Sequence, residues 1–163
     1  MNPLNLTRLN LRSPYMVWES ESGFSFKTDS DIYYSVEFDR EDSGLDIVAY
    51  WFNLINISQK NSHNDEKIQR TVICIIEEFF RQNPDILLYM CDTADNQQAM
   101  RARLFIRWFN HYQGHDQFVI RTATVEGDEE SNYVALIVQK SHPALESILQ
   151  LFDSEIGLFQ NNK

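Results

Sequence analysis

An α+β fold of order ββββαβαββα is predicted, with a mostly antiparallel sheet of about seven strands, two core helices and a C-terminal helix. Three observations carry it. Apolar and polar residues alternate with period two before residue 58, two long segments repeat with helical period, and two β-branched runs flank an acidic turn near the C-terminus.

Residues 1–14 are rich in Asn, Leu, Arg and Ser, end at Pro14, and read as a loosely held lead-in. Order is expected from Tyr15, in a single α+β domain over 15–156 with a loose tail over 157–163. Tyr15 to Glu19, Phe24 to Thr28, Ile32 to Phe38 and Ile47 to Ile57 read as strands. Phe24 and Phe26 alternate with Ser25 and Lys27, and Tyr34, Val36 and Phe38 alternate with Tyr33, Ser35 and Glu37. The connections, such as Glu21-Ser22-Gly23 and Asp29-Ser30-Asp31, are short and rich in turn formers, so consecutive strands should pair antiparallel.

Ser62 is the expected cap of a helix from about His63 to Gln82. Its apolar side holds Ile68, Val72, Ile75, Ile76, Phe79 and Phe80, and Lys67, Arg70, Glu77, Glu78 and Arg81 lie opposite. Cys74 falls on the polar side and reads as a surface or edge thiol. Pro84 ends that helix. Ile86 to Met90 is apolar without alternation, as expected of a central strand covered on both faces.

Asp95, with Gln98 three residues on, resembles a capping box for a helix to about Tyr112. Phe118 to Val125 and Asn132 to Gln139 form the expected hairpin. Ser141-His142-Pro143 opens a last helix to about Asp153, with Leu145, Ile148, Leu149 and Phe152 turned inward.

This order over roughly Phe24 to Gln139 is similar to the core of the GNAT N-acetyltransferase superfamily. Leu87-Leu88-Tyr89-Met90 followed by Asn96, Ala99 and Leu104-Phe105 resembles its strand-to-helix motif. The resemblance implies a GNAT-like fold and an acyl-CoA site. That family binds pyrophosphate on a glycine-containing loop at a helix start, whereas the equivalent 58–64 here has no glycine. The segment EEFF followed by LLYMCDTADNQQAMRARLF also resembles a family of short uncharacterised bacterial proteins, which implies no particular activity.

Chemistry concentrates near one strand end. Arg101 projects into the apolar arc of the second core helix, and a guanidinium there needs a partner or water. One reading pairs it internally with Asp92 or Asp95. The other makes Cys91, Asp92, Asp95 and Arg101 a crevice for an anionic ligand. The internal pair is the reading preferred. His111 and His115 lack further metal-ligand types around them, and neither a nucleophile motif nor a phosphate-binding glycine loop occurs. No metal and no cofactor are implied.

The chain carries 24 Asp and Glu against 14 Lys and Arg, for a net charge of -10. That balance disfavours nucleic acid and anionic membranes and favours a protein partner with a basic surface. Glu126, Asp128, Glu129 and Glu130 form an acidic loop suited to such a partner, and Tyr33, Tyr50 or Trp51 could anchor it. The two cysteines and the lack of an apolar leader read as a cytoplasmic protein with reduced thiols. A non-catalytic interaction or regulatory domain is the leading expectation. A divergent GNAT-like acyltransferase or small anionic ligand binder is the alternative.

Overall fold

The structure, a computed structural model, describes residues 1–41, 47–60, 65–91, 106–112, 114–126 and 131–161. The elements are α1 (Leu6–Asn10), β1 (Val17–Glu19), β2 (Phe24–Lys27), β3 (Tyr33–Arg40), β4 (Ala49–Asn56), α2 (Glu66–Gln82), β5 (Ile86–Cys91), α3 (described over 106–111), β6 (Phe118–Glu126), β7 (Ser131–Gln139) and α4 (Leu145–Asn161). The sheet is mostly antiparallel, its seven strands ordered β1-β2-β3-β4-β5-β7-β6. Among the described residues no helix is long and apolar enough to cross a membrane. The chain divides into two compact units, one of Met1–Asp39 and Phe52–Pro84, the other of Arg40–Trp51 and Asp85–Lys163.

In the first unit, period-two alternation sends Val17, Phe24, Phe26, Tyr34 and Val36 to one face, where Val17 pairs Phe26 and Phe26 pairs Tyr34 in register. On α2, Ile68, Val72, Ile75, Ile76, Phe79 and Phe80 are buried, as helical periodicity requires. Aromatic rings tie helix to strands. Phe79 stacks on Phe38 at 4.9 Å and meets Phe80 edge-on at 5.3 Å, and Phe26 stacks on Tyr34 at 5.3 Å.

Three expectations change here. The α2 cap is Asp65, whose carboxylate accepts the Lys67 N–H at 2.9 Å, while Ser62 lies outside the described residues. The lead-in is folded: Asn5 caps α1, Leu4 and Leu9 are buried, and Asn2 donates its N–H to Asn83 at 2.7 Å. Glu78, placed by the helical wheel on the polar side, is 2% exposed because α1 lies over it. Arg8 donates to its two oxygens at 2.5 and 3.0 Å, Asn5 N–H at 3.3 Å and Gln82 at 3.3 Å.

Gly23 closes the turn between β1 and β2. A Cβ there would stand 2.3 Å from the Val36 carbonyl oxygen, so the backbones approach only because the side chain is absent. Gly23→Ala is expected to cost about 1–3 kcal/mol, read from the urea midpoint. An unchanged midpoint would mean that the turn can withdraw from Val36.

In the second unit, the registers of β5, β6 and β7 sort side chains onto two faces. Ile86, Leu88, Leu136, Val138 and Val119 share the face that packs with Leu145, Ile148, Leu149 and Phe152 of α4, and Arg121 reaches Asp153 at 2.7 Å. Leu87, Tyr89, Ala135, Ile137, Thr122 and Thr124 take the opposite face. On α3, Phe109 is 1% exposed and meets the Phe118 ring edge-on at 5.5 Å. The apolar run of β5 is buried at Ile86 and Leu87 but opens at Met90, 44% exposed, so cover on both faces holds only for its first half. Helix α4 continues to Asn161, into the tail expected as loose.

Candidate functional site

Within the first unit, strand parity puts Trp18, Ser25, Lys27, Tyr33, Ser35, Glu37, Asn53 and Ile55 on the face opposite the aromatic core. In register, Trp18 pairs Ser25 and Ser25 pairs Ser35, while Lys27 pairs Tyr33. The short serines lie below the level of the rings and are buried, whereas Trp18, Tyr33 and Ile55 remain 38%, 43% and 41% exposed.

Backbone hydrogen bonds fix the start of β3, which carries Tyr33. The turn from Thr28 to Ile32 closes with the Thr28 N–H donated to the Ile32 carbonyl at 2.9 Å, and Asp31 takes φ 58, a left-handed conformation that aspartate tolerates. Tyr33 at the start of β3 donates its N–H to Ser58 Oγ at 2.9 Å and accepts the Ile57 N–H at 2.9 Å. Its ring meets Trp18 edge-on, centroids 6.4 Å apart at 79°. Lys27 Nζ sits 5.9 Å from the Tyr33 centroid and 3.4 Å from Asp31. An exposed aromatic pair lies beside an amine.

Beneath them, Ser35 Oγ is buried with no hydrogen-bond partner. A buried hydroxyl without a partner costs free energy, so this face stores unsatisfied hydrogen-bonding capacity. Toward the far end of β3 the face turns acidic and polar, with Glu37 and with Asn53 donating to Asp39 at 2.8 Å.

On the other side of the same strands, Tyr15 donates its O–H to Asp65 at 2.6 Å and accepts the Asp29 N–H at 3.3 Å. Burial, with that bond to Asp65, pushes the Tyr15 phenol up to about 12. Cys74 is half-buried, and burial pushes its thiol up too, so it stays protonated and unreactive near neutral pH. The Tyr15–Asp65 bond ties the start of α2 to the segment before β1.

Of the residues singled out from sequence, Asp92, Asp95, Arg101, Asp128, Glu129 and Glu130 lie outside the described residues. Cys91 ends β5 with its backbone opposite Tyr133, and Glu126 ends β6 opposite Ser131. Among the three proposed anchors, Tyr33 is exposed, but Tyr50 is 6% exposed in the core and the half-buried Trp51 donates its indole N–H to Glu41. The segment Tyr50-Trp51-Phe52 is apolar in both phases, so alternation could not choose its outward member. Trp18 was missed, although its place between Val17 and Glu19 on a three-residue strand was the available signal. Among the described residues no group of three His, Cys, Asp or Glu could hold a metal ion.

A family model described as a family of unknown function, DUF6169, matches residues 64–154. The match takes in α2, β5, α3, β6, β7 and the first part of α4. No curated protein and no solved structure matches the chain.

Proposed function

We propose that this chain, which belongs to the family of unknown function DUF6169, is a non-catalytic interaction module. It binds a protein partner on the open face of β1 to β4. The observation that carries the reading is the exposed Trp18–Tyr33 pair on this face. Trp and Tyr dominate the energetic centres of protein interfaces because they bury a large area with few rotatable bonds. The partner has an apolar segment that seats against the two rings, rimmed by basic side chains. That chemistry complements Glu37, Asp39 and a chain of net charge -10.

The test uses the full chain in its own cells, with a photo-crosslinking residue at position 33 and, as control, at exposed Glu66 on α2. One discrete adduct from position 33, absent from position 66, is expected. With the captured partner purified, Trp18→Ala combined with Tyr33→Ala should weaken binding at least about 30-fold, and added salt should weaken it further. Equal labelling from both positions, or acyl-CoA turnover by the purified protein, would overturn the reading.

A further inference from the structure

Strand β6 is nine residues long and ends the strand order of the sheet, next to β7. We propose that it is the contact through which two copies of this chain pair, β6 against β6, antiparallel, about a two-fold axis near Thr122.

Hydrogen-bond parity says what the edge offers. Lys140 donates its N–H to the Gln117 carbonyl at 2.9 Å, one step before the Phe118–Gln139 pair, and bonded pairs alternate with non-bonded ones along an antiparallel ladder. Val119, Arg121 and Ala123 therefore point their N–H and C=O groups at Val138, Leu136 and Val134 of β7. Ile120 and Thr122 turn theirs away from it. Burial fits an edge that water reaches: Val134 to Val138 of β7 are buried on both faces, whereas Val119, Ile120, Arg121 and Ala123 of β6 are half-buried and Thr122 is exposed. An extended chain laid antiparallel meets a donor and an acceptor at each outward residue.

The strand also selects its occupant. Natural sheets keep edges from pairing with proline, lysine or short length, and FVIRTATVE has none of these. Self-pairing suits its charges: Arg121 is its one cation and Glu126 its one anion, so two strands bring no net charge together in a chain of net charge -10. Arg121 is neutralised further by Asp153 at 2.7 Å, which lets it lie close to its counterpart near the axis. Across the pair β-branched residues meet β-branched residues, a match that stabilises sheets. Two-fold pairing closes as well, because each copy uses up its β6 edge and growth stops at two. The other end of the sheet is guarded. Strand β1 is three residues long, and the Asn10 side chain accepts the Val17 N–H at 2.8 Å and donates to its carbonyl at 2.9 Å, taking the groups a further strand would use. Strand β6 belongs to the second unit and Trp18 and Tyr33 to the first, so self-pairing and partner binding are tested apart.

The full chain should sediment as a dimer that dissociates on dilution, with the Ile120 and Thr122 amides slow to exchange with deuterium in concentrated solution and fast in dilute. Thr122→Pro is the first variant. The N–H it removes points away from β7, so the internal ladder is kept, while the dimer loses that bond from each copy; with the far-UV spectrum retained, the dissociation constant should rise at least about 30-fold. Because that variant could misfold, Thr122→Lys serves as the second. It places an ammonium from each copy near the axis, which should weaken the dimer at least about tenfold, and added salt should restore part of the loss. A monomer at the highest attainable concentration, a dimer of wild-type affinity in either folded variant, or Ile120 and Thr122 amides whose exchange ignores concentration would each overturn the proposal.

Discussion

Phe79→Ala is expected to lower the stability of the protein by about 3–5 kcal/mol, the range for deleting a fully buried aromatic side chain. Phe79 is 0% exposed. Its ring lies nearly parallel to Phe38 at 4.9 Å and 11°, and perpendicular to Phe80 at 5.3 Å and 85°. Phe38 in turn meets Phe24 and Phe52 edge-on at 6.2 and 5.7 Å. Removing the ring opens a cavity that Phe38 and Phe80 cannot fill without leaving their rotamers, so collapse is limited and the cost falls high in the range. The urea midpoint should drop with the slope unchanged. Phe79→Leu, which keeps most of the volume, should cost under about 1.5 kcal/mol. A loss below about 1 kcal/mol for the alanine variant would mean that the ring stack is not the centre of the first unit.

The second large effect sits at Glu78. Glu78→Ala is expected to cost about 2 kcal/mol, because the Arg8 guanidinium and the Asn5 N–H lose their acceptor and α1 loses its main tether to α2. Burial raises the Glu78 carboxyl, but the bonds from Arg8, Gln82 and Asn5 outweigh it and hold the group below the ordinary glutamate range. The unfolded chain therefore binds a proton at higher pH than the folded one. Stability from this group is fully present above the ordinary glutamate range and is lost as pH falls through the lowered folded value. Glu78→Gln should thus differ from wild type by a constant amount between about pH 7 and 5, and the difference should shrink as pH drops further. A difference that grows in acid would show that the carboxyl is raised instead.

Both effects separate what periodicity can read from what it cannot. Phe79 was legible, since its spacing from Ile68, Val72, Ile75 and Ile76 puts it on the apolar side of a helix whatever that helix packs against. Glu78 was not. A wheel assigns each residue to a side of its own helix, whereas Glu78 is buried by α1, whose Arg8 lies 70 positions away in the chain. Five residues of helix have no stability of their own, so nothing local announces α1. The interaction face divides the same way. Tyr33 could be placed outward because it alternates with the core-facing Ile32 and Tyr34, but Tyr50 and Trp51 stand in a run apolar in both phases.

Composition and periodicity by themselves determined the class of fold, the order of its strands and helices from β1 onward, the buried side of α2 and the inward face of β2 and β3. These follow from backbone geometry, which repeats every 2 residues in a strand and every 3.6 in a helix. Only the tertiary structure decided that Trp18 joins Tyr33 above the buried Ser35 and that Glu78 is inside. Each of those depends on pairing register or on contact between distant segments, and neither is encoded in the spacing of residues along a single element.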